Sequence, residues 1–299
     1  MKIGIFERYS AGIKLLIAFA VILIGFFLTS FLYTVIAFAM NPGNLFSGEM
    51  LMDVYMMRLL QVLQSFLVFI FPTLLLAYLF DKEPKIFLCF GEKSALSVYI
   101  LVVLASIIAV PFINQLAYWN EQIRLPEAFS TIEAWILETE ESAAKMMEQM
   151  LQMDSFGMFL FNLFLIAILA AVSEELLFRG LLQRLFMNLM KNIHVAIWVS
   201  AFIFSAIHLQ FYGFFPRLLL GAYFGYLLWY TKSIRIPILA HFTNNALAVT
   251  LSYLQQMQII NEHWEEIGRN DNVIAGVSFL LFAVCIGIIY SKKTENVKS

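Results

Sequence analysis

The chain has 299 residues, 61% of them apolar and only 13% charged, with a mean hydropathy of +0.81. A soluble domain of this length carries roughly 25% charged residues, so the composition excludes a water-soluble globular fold and indicates a polytopic membrane protein. The formal net charge of −2 says nothing about nucleic acid, but no basic cluster or zinc-finger spacing points to it as a partner, and two cysteines, Cys89 and Cys285, are too few for a disulfide framework and wrongly placed for a metal knuckle.

The first apolar run, about 15–38, follows Lys2, Arg8 and Lys14. Ala37-Phe38-Ala39 mimics a signal cleavage site, but the run is about twice the length of a signal-peptide core, so it reads as an uncleaved first span. Further uncharged or nearly uncharged runs lie near 59–80, 96–118, 156–177, 194–210, 213–231, 236–255 and 273–290, each close to the ~20 residues a helix needs to cross hydrocarbon. Arg217 interrupts the sixth near one end. The expected fold is a single polytopic domain, 1–299, an all-α integral membrane protein of about eight transmembrane helices with both termini cytoplasmic. Lysine and arginine support that orientation. Every segment placed inside, from Lys2 through Lys82, Arg184 and Lys232 to Lys292, Lys293 and Lys298, holds at least two basic residues, and no outside segment holds more than two. The lipid bilayer is the first partner, and a cell membrane, inner or plasma, is the expected location.

The largest outside segment, 120–154, is acidic. Phe129, Ile132, Ile136, Ala143, Met147 and Met150 recur at steps of three, four and seven, the pattern of an amphipathic helix lying on the outer surface or over the bundle.

The region 155–255 carries the chemistry. Glu174 and Glu175 end a long uncharged run, and Arg179 follows. Each charge costs ~2.5–3.5 kcal/mol at mid-bilayer on insertion scales, which makes function the default reading. Glu175 and Arg179 stand at i and i+4, acid first, the favourable order for a helical ion pair. Glu174 points about 100° away and lacks that partner, which makes it the better water-activating base. His208 lies as far beyond Lys191 as Glu174 lies before it, so an antiparallel hairpin places both about 25 Å from the turn. His241 and Asn245 are four apart on one helix face, with Asn244 turned away. His194, at a span boundary, and His263, in an outside loop, read as incidental.

These residue types form a kit for hydrolysis. Glu174 takes a proton from water, the water attacks a carbonyl, His241 and Asn245 donate to the oxyanion, and Glu174 or His208 returns the proton. The same groups, Glu174, His208 and His241, could instead hold a divalent metal such as zinc with an open fourth position, and the sequence leaves both routes open. The bland alternative is a polar network knitting three spans together.

Glu174-Glu175-Leu176-Leu177-Phe178-Arg179 resembles the EExxxR motif of the CPBP family, the CAAX-protease and bacteriocin-processing group of intramembrane proteases. Phe204-Ser205-Ala206-Ile207-His208 resembles its FxxxH motif, and His241-Phe242-Thr243-Asn244-Asn245 its HxxxN motif. The resemblance implies an eight-span helical fold, a site opening toward the cytosol and cleavage of a peptide or protein substrate with a hydrophobic or lipidated segment. It implies Glu174 as base, His208 as a water ligand, His241 and Asn245 as oxyanion donors, and Glu175 and Arg179 as supports. The family is often described as metalloproteases, and a metal-free glutamate mechanism is also proposed for it. There is no HExxH, GxGD or GxSG motif of the other intramembrane proteases, since Phe279 follows Gly276-Val277-Ser278 where a glycine is needed. A non-catalytic scaffold or immunity protein of the same fold and a transporter are the alternatives.

Overall fold

The computed structural model describes residues 4–40, 53–91, 93–260 and 264–298, the last seven without their side chains. Lys2, His263 and the side chains of Lys292, Lys293 and Lys298 lie outside that description. The described residues are helical, with no strand among them. In chain order the helices are α1 (Ala11–Met40), α2 (Val54–Phe80), α3 (Pro84–Phe87), α4 (Leu96–Ile108), α5 (Val110–Glu121), α6 (Ser130–Met150), α7 (Phe156–Met190), α8 (Ile193–Ala206), α9 (Phe214–Thr231), α10 (Arg235–Gln256) and α11 (Asn272–Lys298).

Four of them, α1, α2, α7 and α11, are long and apolar enough to cross a membrane. The expected third span is instead two helices, α4 and α5, bent by 42°. Pro111 explains the break: it has no N–H to give the preceding turn, and its ring crowds the carbonyl four residues back. Within α9 and α10, 18 and 22 residues long, no stretch reaches the same apolarity, because these helices carry the polar groups described below. Residues 14 in number make α8 about 21 Å long.

The two larger apolar clusters among the described residues organise the bundle. Ala18, Phe69, Leu76, Phe178, Leu181 and Phe204 join α1, α2, α7 and α8. Val102, Phe224, Leu227, Ile236, Ala240 and Ile289 join α4, α9, α10 and α11. The connections gather at two ends. At one, Phe6 N–H donates to the Leu79 carbonyl at 2.9 Å, Ile234 N–H to that of Cys89 at 3.0 Å, and Arg184 to that of Phe87. At the other, Gln256 donates to the Leu151 carbonyl at 2.8 Å and Arg269 pairs with Glu121. Helix α6 belongs to this second end. Of its apolar face only Ile136 is buried, while Phe129, Ile132 and Met147 stay about half-exposed. Its far end is tied down by Arg58 and Asn162, both donating to the Met150 carbonyl.

Helix α1 approaches α2 through Gly25. A Cβ there would stand 2.1 Å from the Leu67 carbonyl oxygen, inside a π-helical turn (Ser65–Ile70) of α2. Small residues at such crossings let backbones approach where lipid offers no hydrophobic drive for association. Gly25→Leu is therefore expected to destabilise the fold by about 1–3 kcal/mol or more, read as a lowered melting temperature in detergent, with Gly12→Leu, which meets open space, as the neutral comparison.

Candidate active site

Helix α7 delivers both glutamates and the arginine. It runs unbroken through Gly180 but contains two π-helical turns, Leu163–Leu169 and Leu176–Leu182, on either side of Glu174 and Glu175. Glu175 and Arg179 are buried, at 0% and 1% exposure. Their pairing is direct: Arg179 Nη1 donates to Glu175 Oε1 at 2.9 Å. Arg179 Nη2 donates to the Gly221 carbonyl at 3.0 Å, and the guanidinium lies 4.5 Å from the Phe204 ring centroid and 5.4 Å from that of Phe224. A buried ion pair loses much of its hydration, and a fixed carbonyl and two aromatic faces replace part of it. Gly221 is what admits the guanidinium, since a Cβ there would meet Ala201 at 3.1 Å and Arg179 Nη2 at 3.2 Å.

Helix α10 brings His241 to the same carboxylate. Its Nδ1 lies 2.9 Å from Glu175 Oε1. An ionised Glu175, already paired with Arg179, can only accept, so Nδ1 carries the hydrogen and Nε2 is the nitrogen turned toward Glu174, 3.8 Å from its Oε2. The imidazole stacks on Phe224 at 5.1 Å and meets the edge of Phe204 at 6.0 Å. His241 thus lies at the seam of the two apolar clusters. Glu174 differs from its neighbour: its side chain is 17% exposed and makes no hydrogen bond with the described residues.

His208 does not lie within a helix as the hydropathy suggests. Helix α8 ends at Ala206, and His208 occupies the turn that follows, just before Leu209 with its positive φ of 54°. Its Nδ1 is 2.8 Å from the Phe204 carbonyl, and its ring packs 5.2 Å from the Phe204 ring. A carbonyl accepts only, so Nδ1 donates and Nε2 is left as an acceptor. His208 and His241 therefore flank one phenylalanine. Asn245 Nδ2 donates to the Ile166 carbonyl at 3.0 Å, which spends one of its two amide hydrogens. Asn244 Nδ2 donates to Asn245 Oδ1 at 3.5 Å. His194 lies apart, bonded to the Tyr226 hydroxyl at 2.9 Å.

Sequence reasoning missed the contribution of α9, whose Gly221 carbonyl and Phe224 ring hold Arg179 and His241. The signal was their spacing of three on the sixth run, the one that Arg217 interrupts. Among the described residues no group of three His, Cys, Asp or Glu side chains is arranged to hold a metal ion. Glu174, His208 and His241 do not fit the zinc alternative, and no step below runs through a metal. A cavity of about 830 Å³ is lined by Tyr78, Lys85 and Arg235, one of about 380 Å³ by Ile168, Val172 and Phe242, and one of about 230 Å³ reaches Arg179 beside Gln183 and Arg184.

Residues 156–247 match the family model for Rce1-like proteins, described as type II CAAX prenyl endopeptidase Rce1-like. The matched segment holds all three motifs, and the match is to the family they resemble. That is a peptidase family, and the match covers under a third of the chain; the apolar helices indicate an integral membrane protein. No curated protein and no solved structure matches the chain significantly.

Proposed function

We propose that the protein is an intramembrane endopeptidase acting on membrane-associated peptides with a hydrophobic or C-terminally lipidated segment. The observation that carries this reading is the division of labour between neighbouring glutamates. Glu175 is committed to Arg179 and His241, while Glu174 keeps an unbonded carboxylate beside the His241 imidazole.

In the reaction, a water lies between Glu174 and the bare Nε2 of His208. Glu174 takes one proton, His208 accepts a hydrogen bond from the other, and the oxygen attacks the peptide carbonyl. The second amide hydrogen of Asn245 donates to the oxyanion, joined by His241 when its Nε2 carries the proton passed from Glu174. That proton then goes to the leaving nitrogen, and the C–N bond breaks to give a carboxylic acid and an amine. Glu175 and Arg179 touch no reacting atom; they fix the His241 ring. The eight-crossing topology with cytoplasmic termini belongs to the same proposal, and the gathering of successive connections at alternate ends of the bundle supports it.

The test is cleavage of dye-labelled S-farnesylated and unmodified hydrophobic peptides by the purified protein in oxygen-18 water. Mass spectrometry should find one heavy oxygen in the new carboxylate of the N-terminal fragment. A transporter or a non-catalytic scaffold would yield no fragment from any of these peptides, and that result would sink the reading.

A further inference from the structure

Two apolar slots meet at one cation. The cavity of about 830 Å³ runs along α2, where Phe71, Leu74, Leu75 and Tyr78 recur at i, i+3, i+4 and i+7 and so share one helix face. The cavity of about 380 Å³ runs along α10, where Ile238, Leu239 and Phe242 stand at the same steps from Arg235. Each row descends about 10 Å along its helix, starting from the end of the bundle where the Arg184–Phe87 and Ile234–Cys89 bonds lie. Arg235 lines both cavities, and Lys85, on α3, lines the first. One apolar cluster of Leu176, Leu228 and Ile234 stands between them, touched by Phe90 from the first slot and by Val172 and Ile238 from the second.

Neither slot is covered by protein. Phe71 is 61% exposed and Leu74 47%, and Lys85 and Arg235 are exposed as well. Among the described residues no acidic side chain lines either cavity. The lysine and arginine ion pairs among them use Lys82, Lys145, Arg179 and Arg269 instead. Two cations therefore stand without a counter-charge at the head of two hydrocarbon-lined slots. In a bilayer such walls face acyl chains, and cations at a basic end face the headgroups. A neutral lipid would fill the slots and leave the cations to water. A small anion would answer the cations and leave the slots open. A molecule with a net negative phosphate and two chains satisfies both.

We propose that this face binds one anionic two-chain phospholipid, with its phosphate between Arg235 and Lys85, one chain along α2 and the other along α10. The guanidinium offers a planar donor fork to the phosphate and the ammonium a point charge. This site goes beyond the peptidase reading and does not depend on it.

The test uses the full chain, purified in detergent, stripped of lipid and titrated with dioleoyl phosphatidylglycerol or dioleoyl phosphatidylcholine, with bound lipid counted by native mass spectrometry. The chains are identical, so any difference reports the headgroup. One phosphatidylglycerol should bind roughly 10-fold or more tightly than one phosphatidylcholine. Lys85→Gln combined with Arg235→Gln should bring the two affinities within about twofold by weakening phosphatidylglycerol alone. Both side chains are exposed, so the melting temperature without lipid should not move. Arg235→Lys should keep part of the preference, and Lys82→Gln, at the same end of the bundle, should keep all of it. One-chain lysophosphatidylglycerol and the headgroup alone, glycerophosphoglycerol, should each bind more weakly than the two-chain lipid. Equal affinity of the wild type for the two lipids overturns the proposal. So does a preference that survives the double substitution or is lost as fully in Lys82→Gln, and so does binding of the lyso form or the bare headgroup as tight as that of the lipid.

Discussion

Glu174→Gln is expected to lower kcat by about 100- to 10,000-fold while leaving the melting temperature in detergent nearly unchanged. The amide has the shape of the carboxylate but cannot take a proton from water. The small effect on stability follows from the surroundings. Glu174 is partly exposed, makes no hydrogen bond with the described residues, and lies 3.8 Å from the His241 imidazole. Little folded-state interaction is therefore lost. Full peptidase activity in this variant would remove Glu174 as the base. A large loss of stability would instead favour a structural polar network.

Arg179→Ala should have the opposite profile, with a destabilisation of about 3–5 kcal/mol that removes activity because the fold fails. The guanidinium is the largest fully buried side chain described. Its removal strands Glu175 at 0% exposure with only His241 to answer its charge, and opens a cavity between Phe204 and Phe224. Glu175→Gln combined with Arg179→Met removes both charges and keeps most of the volume, so its thermal unfolding should lie between those of the wild type and Arg179→Ala. A melting curve unmoved by Arg179→Ala would show that the pair carries no structural weight.

The motif residues were legible because they break a strong pattern: acids, imidazoles and a carboxamide inside apolar runs, at spacings that put them on defined helix faces. The Glu175–Arg179 partnership is a local i, i+4 matter, and the distance is 2.9 Å. What the sequence hid depends on packing between helices. The second task of Glu175, holding Nδ1 of His241, could not be read from α7 alone. The Gly221 carbonyl has no side chain to announce it. The release of His208 from helix into a turn follows from the hydrogen bonding of residues 205–209, where hydropathy sees only an apolar run. Pro111 was visible, but an apolar stretch on both sides masked its break.

The shortness of α8 bears on how a substrate would reach the proposed catalytic centre. Hydrocarbon spans ~30 Å, and a helix of about 21 Å cannot match it. Where lipid borders α8, hydrophobic matching is expected to thin the bilayer and draw headgroups and water toward the Phe204–His208 corner. A polypeptide unwinding there exposes its amides to a hydrated dimple rather than to oil, which removes much of the free-energy cost of presenting an extended scissile bond inside a membrane.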